Sequence, residues 1–346
     1  MRFPLTSAPR GAPPQPWRLV AAVLMAALLA AAPALPARAA GWTVLTADDA
    51  PAHAEFVREL QGGAEGGPRI EWVRIAPGAD APAAAPEALA QADEDRVTAG
   101  VRTRGIRRSA PASDGVIVAV GPAAARLALD RPGQEPLLLA MLSRLDYEGL
   151  KPLPALRRSE RPIGVLLREP AMGDQLALID AVLPGKRRLG LVVTGESEPV
   201  LRELQRVAQD WQLQVEYAPD ARSLGAALRA VVPRSDAIIV LPDLIGESQA
   251  ATLAVLRAGA GAGLPVFGSN EGMVRSGGLA AAVSTPAQLA HQARTMGTRL
   301  AGGGAAAPVV ESATPASVRV NATVARGLNL RLPPEQDLAQ RVTAPR

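Results

Sequence analysis

The chain has 346 residues, enough for two lobes each with its own core. Hydrophobic residues make up 48% but aromatic ones only 3%, so the cores must be built from Ala, Val and Leu, and 20% charged residues exclude a disordered chain. The absence of cysteine excludes a disulfide framework and any thiolate nucleophile or metal site, and two distant histidines, His53 and His291, exclude a histidine metal cluster.

The first 39 residues read as a leader. Arg2, Arg10 and Arg18 form a positive n-region, Leu19 to Leu35 is apolar but for Pro33, and Ala37-Arg38-Ala39 fits a small-x-small cleavage site. The expectation is a cleaved signal peptide over 1–39, a mature chain starting near Ala40, and a periplasmic protein. An uncleaved membrane anchor is the alternative, disfavoured because the apolar run is short for a span. The leader also changes the charge argument. Four of the 37 basic residues, Arg2, Arg10, Arg18 and Arg38, lie in it, so the formal +4 disappears and 33 basic residues face 33 acidic ones. A neutral mature chain carries no electrostatic footprint for nucleic acid.

The first half then alternates strands and helices. Trp42 to Leu45 reads as a strand, Pro51 to Gln61 as a helix and Arg69 to Ile75 as a second strand. An Ala/Pro/Gly-rich loop, 76–86, and a weakly patterned helix, 87–100, follow. Gly115 to Val120 is a third strand, Ala123 to Leu129 a helix, and Pro136 to Leu142 a fourth strand ending at Ser143. All-apolar strands alternating with helices predict a parallel sheet covered on both faces.

The second half repeats the theme. Asp174 to Leu183 is a helix, Arg188 to Val193 a strand, Glu198 to Trp211 a helix and Gln214 to Tyr217 a strand. Ser223 to Val231 is a helix that Ser223 can cap. Ala237 to Leu241 is a buried strand, Gly246 to Ala258 a helix, and Leu264 to Phe267 a last core strand before Gly268-Ser269-Asn270-Glu271. Two modules of similar size predict an α/β protein of two Rossmann-like lobes.

Ligands of such sheets sit beyond the carboxyl ends of the strands. Those ends carry Gly121-Pro122, Ser143, Thr194-Gly195-Glu196-Ser197, Pro242-Asp243 and Ser269-Asn270-Glu271. Glycine lets backbone approach a guest, and hydroxyl, amide and helix N-terminal N–H groups hold a polar head. The candidate ligand-binding residues are therefore Gly121, Ser143, Gly195, Glu196, Ser197, Asp243, Ser269, Asn270 and Glu271. The plainer alternative is that each group is only a strand-to-helix turn with its cap. Catalysis is disfavoured. Ser269 is one place early for a nucleophile elbow, no Gly-rich dinucleotide or phosphate loop occurs, and no histidine lies near Glu196, Asp243 or Glu271 in sequence.

From about Arg161 to Leu332 the chain resembles the periplasmic substrate-binding proteins of ABC transporters, in the group that includes the tryptophan/tyrosine-binding proteins. The stretches that carry this are "AMGDQLALIDAVLPGKRRLGLVV", "SDAIIVLPD", "GLPVFGSNEGMVRSGGLAAAVSTPAQLAHQA" and "VRVNATVARGLNLRLPPE". "GVIVAVGPAAARLAL" and "PLLLAMLS" add a weaker likeness earlier in the chain. The resemblance implies two Rossmann-like lobes with parallel sheets joined by a three-crossing hinge, the type I periplasmic binding protein fold. Crossings are expected near Leu156–Leu166, Leu279–Ser284 and Pro308–Ser312. Lobe one would be 40–160 plus 285–308, and lobe two 161–284 plus 309–346. The implied function is the solute-binding component of an ABC importer: a non-enzymatic monomer without cofactor or nucleic acid, holding a small polar solute and docking on a membrane permease. A periplasmic sensory or accessory protein with an altered or vestigial pocket, docking on a sensor or receptor, is the second reading.

The sequence departs from the family on the lobe-one side. Gly121-Pro122-Ala123-Ala124 lacks the usual hydroxyl, and Ser143-Arg144-Leu145-Asp146 stands where an Asp-Pro is usual. These departures leave Ser143 and backbone N–H groups near Gly121 as the expected lobe-one grip, and predict modest affinity or a solute less polar than a free amino acid.

Overall fold

Eleven of the twelve strands pair in parallel, and the inner ones, such as β3, β4 and β8, are apolar enough to be buried between helices on both faces. The computed structural model describes residues 41–62, 68–75, 115–157, 161–303, 307–315 and 317–344. The leader and the expected 87–100 helix lie outside them. The strands are β1 (Trp42–Thr46), β2 (Ile70–Arg74), β3 (Ile117–Val120), β4 (Leu137–Leu142), β5 (Ile163–Pro170), β6 (Arg188–Val193), β7 (Gln212–Tyr217), β8 (Ala237–Ile239), β9 (Val266–Phe267), β10 (Ala280–Val283), β11 (Val309–Ala313) and β12 (Ser317–Val320).

They form two six-stranded sheets. The first runs β11-β5-β4-β3-β1-β2, with every pairing parallel. The second runs β12-β10-β9-β8-β6-β7, parallel except for the antiparallel β10–β12 pair. Each sheet is the middle of a three-layer sandwich. In lobe one, Phe56, Val57 and Leu60 of the Pro51–Gly62 helix and Leu289, Ala293 and Met296 of the Pro286–Ala301 helix cover one face. Ala124, Ala128 and Leu129 of the Gly121–Asp130 helix cover the other with Tyr147 and Leu150 of the Arg144–Leu150 helix. In lobe two the Met172–Val182, Glu198–Val207 and Glu335–Thr343 helices share one core, and the Leu224–Val231 and Gln249–Ala262 helices the other.

The chain changes sheet three times: between β5 and the Met172–Val182 helix, between β10 and the Pro286–Ala301 helix, and between β11 and β12. The second change falls where the sequence places it. The other two come later than expected. β5 pairs with β4 through Leu167, and β11 pairs with β5 through Ala313, so 163–170 and 309–313 are lobe-one strands. A crossing strand is itself hydrogen-bonded into the sheet it leaves, and its apolar run looks like any other core strand.

The hinge is stitched by side chains. The Ser284 hydroxyl donates to Thr314 O at 2.6 Å, Thr314 N–H donates to Gln292 Oε1 at 3.0 Å, and Gln292 Nε2 donates to Ser312 O at 2.9 Å. β9 pairs with β10 at Ala280 alone. Beyond that point the buried Gln175 amide serves in place of a strand, donating to Ala282 O at 2.8 Å and accepting from Ala282 N at 3.1 Å.

At the far end of lobe two, Asp236 accepts from Arg188 N–H at 3.1 Å and from its guanidinium at 2.9 Å, tying the start of β6 to that of β8. The Arg188 hydrogen bonds hold the Asp236 carboxyl down at about 2, below the ordinary 3.8. A depressed carboxylate stabilises the fold above its unfolded pKa and loses that contribution as pH falls through the folded one. Asp236→Asn is therefore expected to cost about 1 kcal/mol at pH 7, discounted for the exposure of Arg188. Urea titrations should show the gap between variant and parent shrinking as pH drops from 4 towards 2. A gap that does not depend on pH would disprove this account.

Candidate functional site

The residues that the sequence singles out follow the carboxyl ends of β3, β4, β6, β8 and β9. In lobe two, β6 ends in Thr194 and a 3₁₀ turn, Gly195–Ser197, because Thr194 and Ser197 cap one another. The Ser197 hydroxyl is fully buried and donates to the equally buried Asp243 carboxylate. Asp243 also accepts from Ile245 N–H at 2.9 Å and Gly246 N–H at 3.1 Å, capping the Leu244–Glu247 helix. Burial pushes the Asp243 carboxyl up, outweighing the Ser197 hydroxyl and the two amides that stabilise its charge. The structure thus brings Ser197 and Asp243 together as a lock between neighbouring strand ends, while Gly195 and Glu196 stand exposed beside it.

At the end of β9, the Asn270 side chain accepts from Met273 N–H at 2.8 Å and caps the Glu271–Arg275 helix. Glu271 faces solvent and pairs with Arg275 at 3.3 Å and Arg319 at 3.6 Å. Ser269, just before Asn270, is 9% exposed, and its hydroxyl makes no hydrogen bond among the described residues.

In lobe one, β4 ends in a register shift at Met141, whose φ of +61° is costly for a side chain with a Cβ. Ser143 follows. Its hydroxyl accepts from Asp146 N–H at 3.0 Å and its N–H donates to Asp146 Oδ2 at 2.8 Å, a capping box for the Arg144–Leu150 helix. The Ser143 hydroxyl and N–H are thus both engaged within lobe one. Gly121 begins its helix at φ +82°, and a Cβ on it would stand 2.5 Å from His53 Cε1. Only glycine suits that backbone and leaves room for the ring. His53 Nδ1 is 2.7 Å from Asp48 Oδ1, which also accepts from Ala50 N–H at 3.1 Å. Burial works against the Asp48 charge, yet the His53 contact, the Ala50 amide and Arg74 hold its pKa below the ordinary value.

Sequence reasoning missed the Asp48–His53 pair. The signal was one of only two histidines, five residues from an aspartate across the turn after β1. It also missed Arg168 at the end of β5. Arg168 Nε donates to Glu169 Oε1 at 2.7 Å and another of its nitrogens donates to Glu247. Burial works against the Arg168 charge, but Glu169, Glu247 and Asp146 raise its pKa; burial likewise pushes the Glu169 carboxyl up against the pull of Arg168. A cavity of about 630 Å³ opens here, lined by Arg168, Glu247, Gln249, Thr252, Asn270 and Arg275 among others. Of the nine predicted residues only Asn270 lines it.

No helix of the described residues is long and apolar enough to cross a membrane. Comparison with solved structures gives the same architecture. A conserved domain protein from Vibrio cholerae is 20% identical, covering 88% of this chain and 98% of that one with a TM-score of 0.52. The ABC domain in complex with L-Trp from Streptococcus pneumonia is 17% identical over 87% of this chain and 98% of its own, TM-score 0.51. A ligand-free, open substrate-binding protein with adhesive properties from Clostridium difficile is 15% identical over 85% and 96%, TM-score 0.60. At these identities the likeness speaks to the fold, the two-lobed type I periplasmic binding protein architecture. Curated protein sequences give no match. The family model described as "ABC transporter substrate binding protein" matches residues 113–339, taking in β3 to β12 with all three crossings and most of the cleft. The chain belongs to that family of ABC transporter substrate-binding proteins.

Proposed function

We propose that the protein is the periplasmic solute-binding component of an ABC importer, exported by a signal peptide cleaved near Ala40 and holding a small polar solute between its lobes. It hands the solute to a membrane permease and catalyses no reaction on it. The observation that carries this reading is the polar cavity at the cleft end of lobe two, with Asn270 and Arg168 on its wall. Ser269, next to Asn270, supplies a hydroxyl that makes no hydrogen bond among the described residues and can serve a guest. Ser197 and Asp243 act as the scaffold behind it. From lobe one, His53, held by Asp48 and packed against Gly121 at the end of β3, is the side chain we assign to the guest.

Native mass spectrometry of the purified protein should reveal a retained small molecule. Calorimetric titration of that molecule should show Ser269→Ala weakening binding roughly tenfold, the value of one hydrogen bond to a charged group at the low end of its range. The fold should be unaffected, since the hydroxyl bonds to nothing else. Unchanged affinity would remove Ser269 from the site. A second reading, a sensory or accessory protein on this scaffold, draws support from Ser143, Ser197 and Asp243 being spent on internal bonds. It predicts no retained solute and instead a stable complex with a membrane sensor or receptor.

A further inference from the structure

Two ion pairs cross from lobe to lobe beside the hinge. Arg144, first residue of the helix after β4, reaches Glu203 of the Glu198–Val207 helix at 2.7 Å, with both side chains mostly buried. Glu203 also accepts from Met172 N–H at 3.3 Å, at the first residue beyond the first crossing. Arg168, on the strand that leaves lobe one, pairs with Glu247 of lobe two. The lobes also touch through apolar surface, because Leu145 of lobe one packs against the lobe-two core that contains Leu201 and Leu204. Crossing strands by themselves leave two lobes free to rotate. Here each lobe holds a guanidinium or carboxylate whose partner lies on the other.

We propose that Arg144–Glu203 and Arg168–Glu247 tether the lobes, so that the angle between them is set by the chain's own charges before any solute arrives. The tether acts without a guest and stands on the fold alone, independently of the solute reading. The two pairs differ in strength. The shielded Arg144–Glu203 pair resists salt, whereas the half-exposed Arg168–Glu247 pair is screened by it. Arg168 lines the cavity as well, so an occupant there touches one arm of the tether.

The natural absence of cysteine allows a direct test. Glu55→Cys and Arg257→Cys place one spin label on an exposed helix of each lobe. The labelled protein, refolded from denaturant and shown by native mass spectrometry to carry no small molecule, is compared with the same protein bearing Glu203→Gln and Glu247→Gln. The parent should give a single narrow inter-label distance by pulsed electron resonance, and the double variant should lose it, showing a broad or shifted distribution. If the double variant fails to refold, Glu247→Gln alone, at the exposed pair, should still broaden the peak. Identical distributions in parent and variant, or a parent already broad, would overturn the tether.

Discussion

Gln175→Leu should lower the unfolding free energy by about 3–5 kcal/mol, read as a shift of the urea midpoint. The substitution keeps the size of the side chain and removes its amide. Ala282 N–H and C=O then lose the partner that replaces a strand at this point of β10. Both groups are buried, and a buried backbone group without a partner costs about 1–3 kcal/mol. The lost hydrogen bonds fall just before the second crossing, so opening of the hinge should show as faster amide exchange at Ala281 to Ser284. A midpoint within the error of the parent would mean that these backbone groups find water, and that Gln175 is not a structural member of the hinge.

Asp243→Ala should cost about 3 kcal/mol. Three donors converge on that carboxylate, the Ser197 hydroxyl and the amides of Ile245 and Gly246. An N-cap alone is worth about 1 kcal/mol, and hydrogen bonds to a charged group about 1.5–3 kcal/mol each. Relief of the desolvated charge offsets part of the loss, which is why the sum of the bonds is not expected. Ser197→Ala should cost less, and in the Asp243→Ala background less again, since only its bonds to Thr194 then remain. Additive losses in the double variant would show that the two residues act separately and that the strand ends are not locked through them.

The regular parts of the fold could be read from residues because one physical signal sufficed. The buried runs in β3, β4 and β8 admit only a sheet covered on both faces. The helix starting after Thr285 announces itself by its cap. Ser223 does not follow this rule. It precedes the Leu224–Val231 helix, yet its hydroxyl bonds to Asp220 rather than to the helix. The expected Gly246–Ala258 helix is two helices, broken at Ser248, where a cap inside a helical pattern was the overlooked sign. The Arg144–Leu150 helix was missed although Ser143 and Asp146 spell its capping box.

The site was less legible than the fold. Sequence places polar residues at strand ends, but it does not say whether their bonds go outward or to one another. Ser197 and Asp243 lie 46 positions apart, and only the adjacency of β6 and β8 in the sheet brings them into contact. Arg168 and Glu247, 79 apart, meet only because β5 points at the other lobe as it leaves its own sheet. Pairings of that kind depend on where the chain changes sheet, the one feature that an apolar run does not record.

The three crossings also govern how the molecule can form. Lobe one is not a continuous stretch of chain. Its core closes only when the Pro286–Ala301 helix settles on the Pro51–Gly62 helix, where Arg294 donates to Leu60 O, 234 residues earlier. β11 completes the same sheet from still further along. A nascent chain therefore cannot finish its first lobe until nearly all of it has emerged, and the loop-closure entropy of those distant contacts must be met before they repay it. Slow maturation follows from this topology, and so does a long interval in which an unfinished chain remains loose enough to be threaded through a narrow channel.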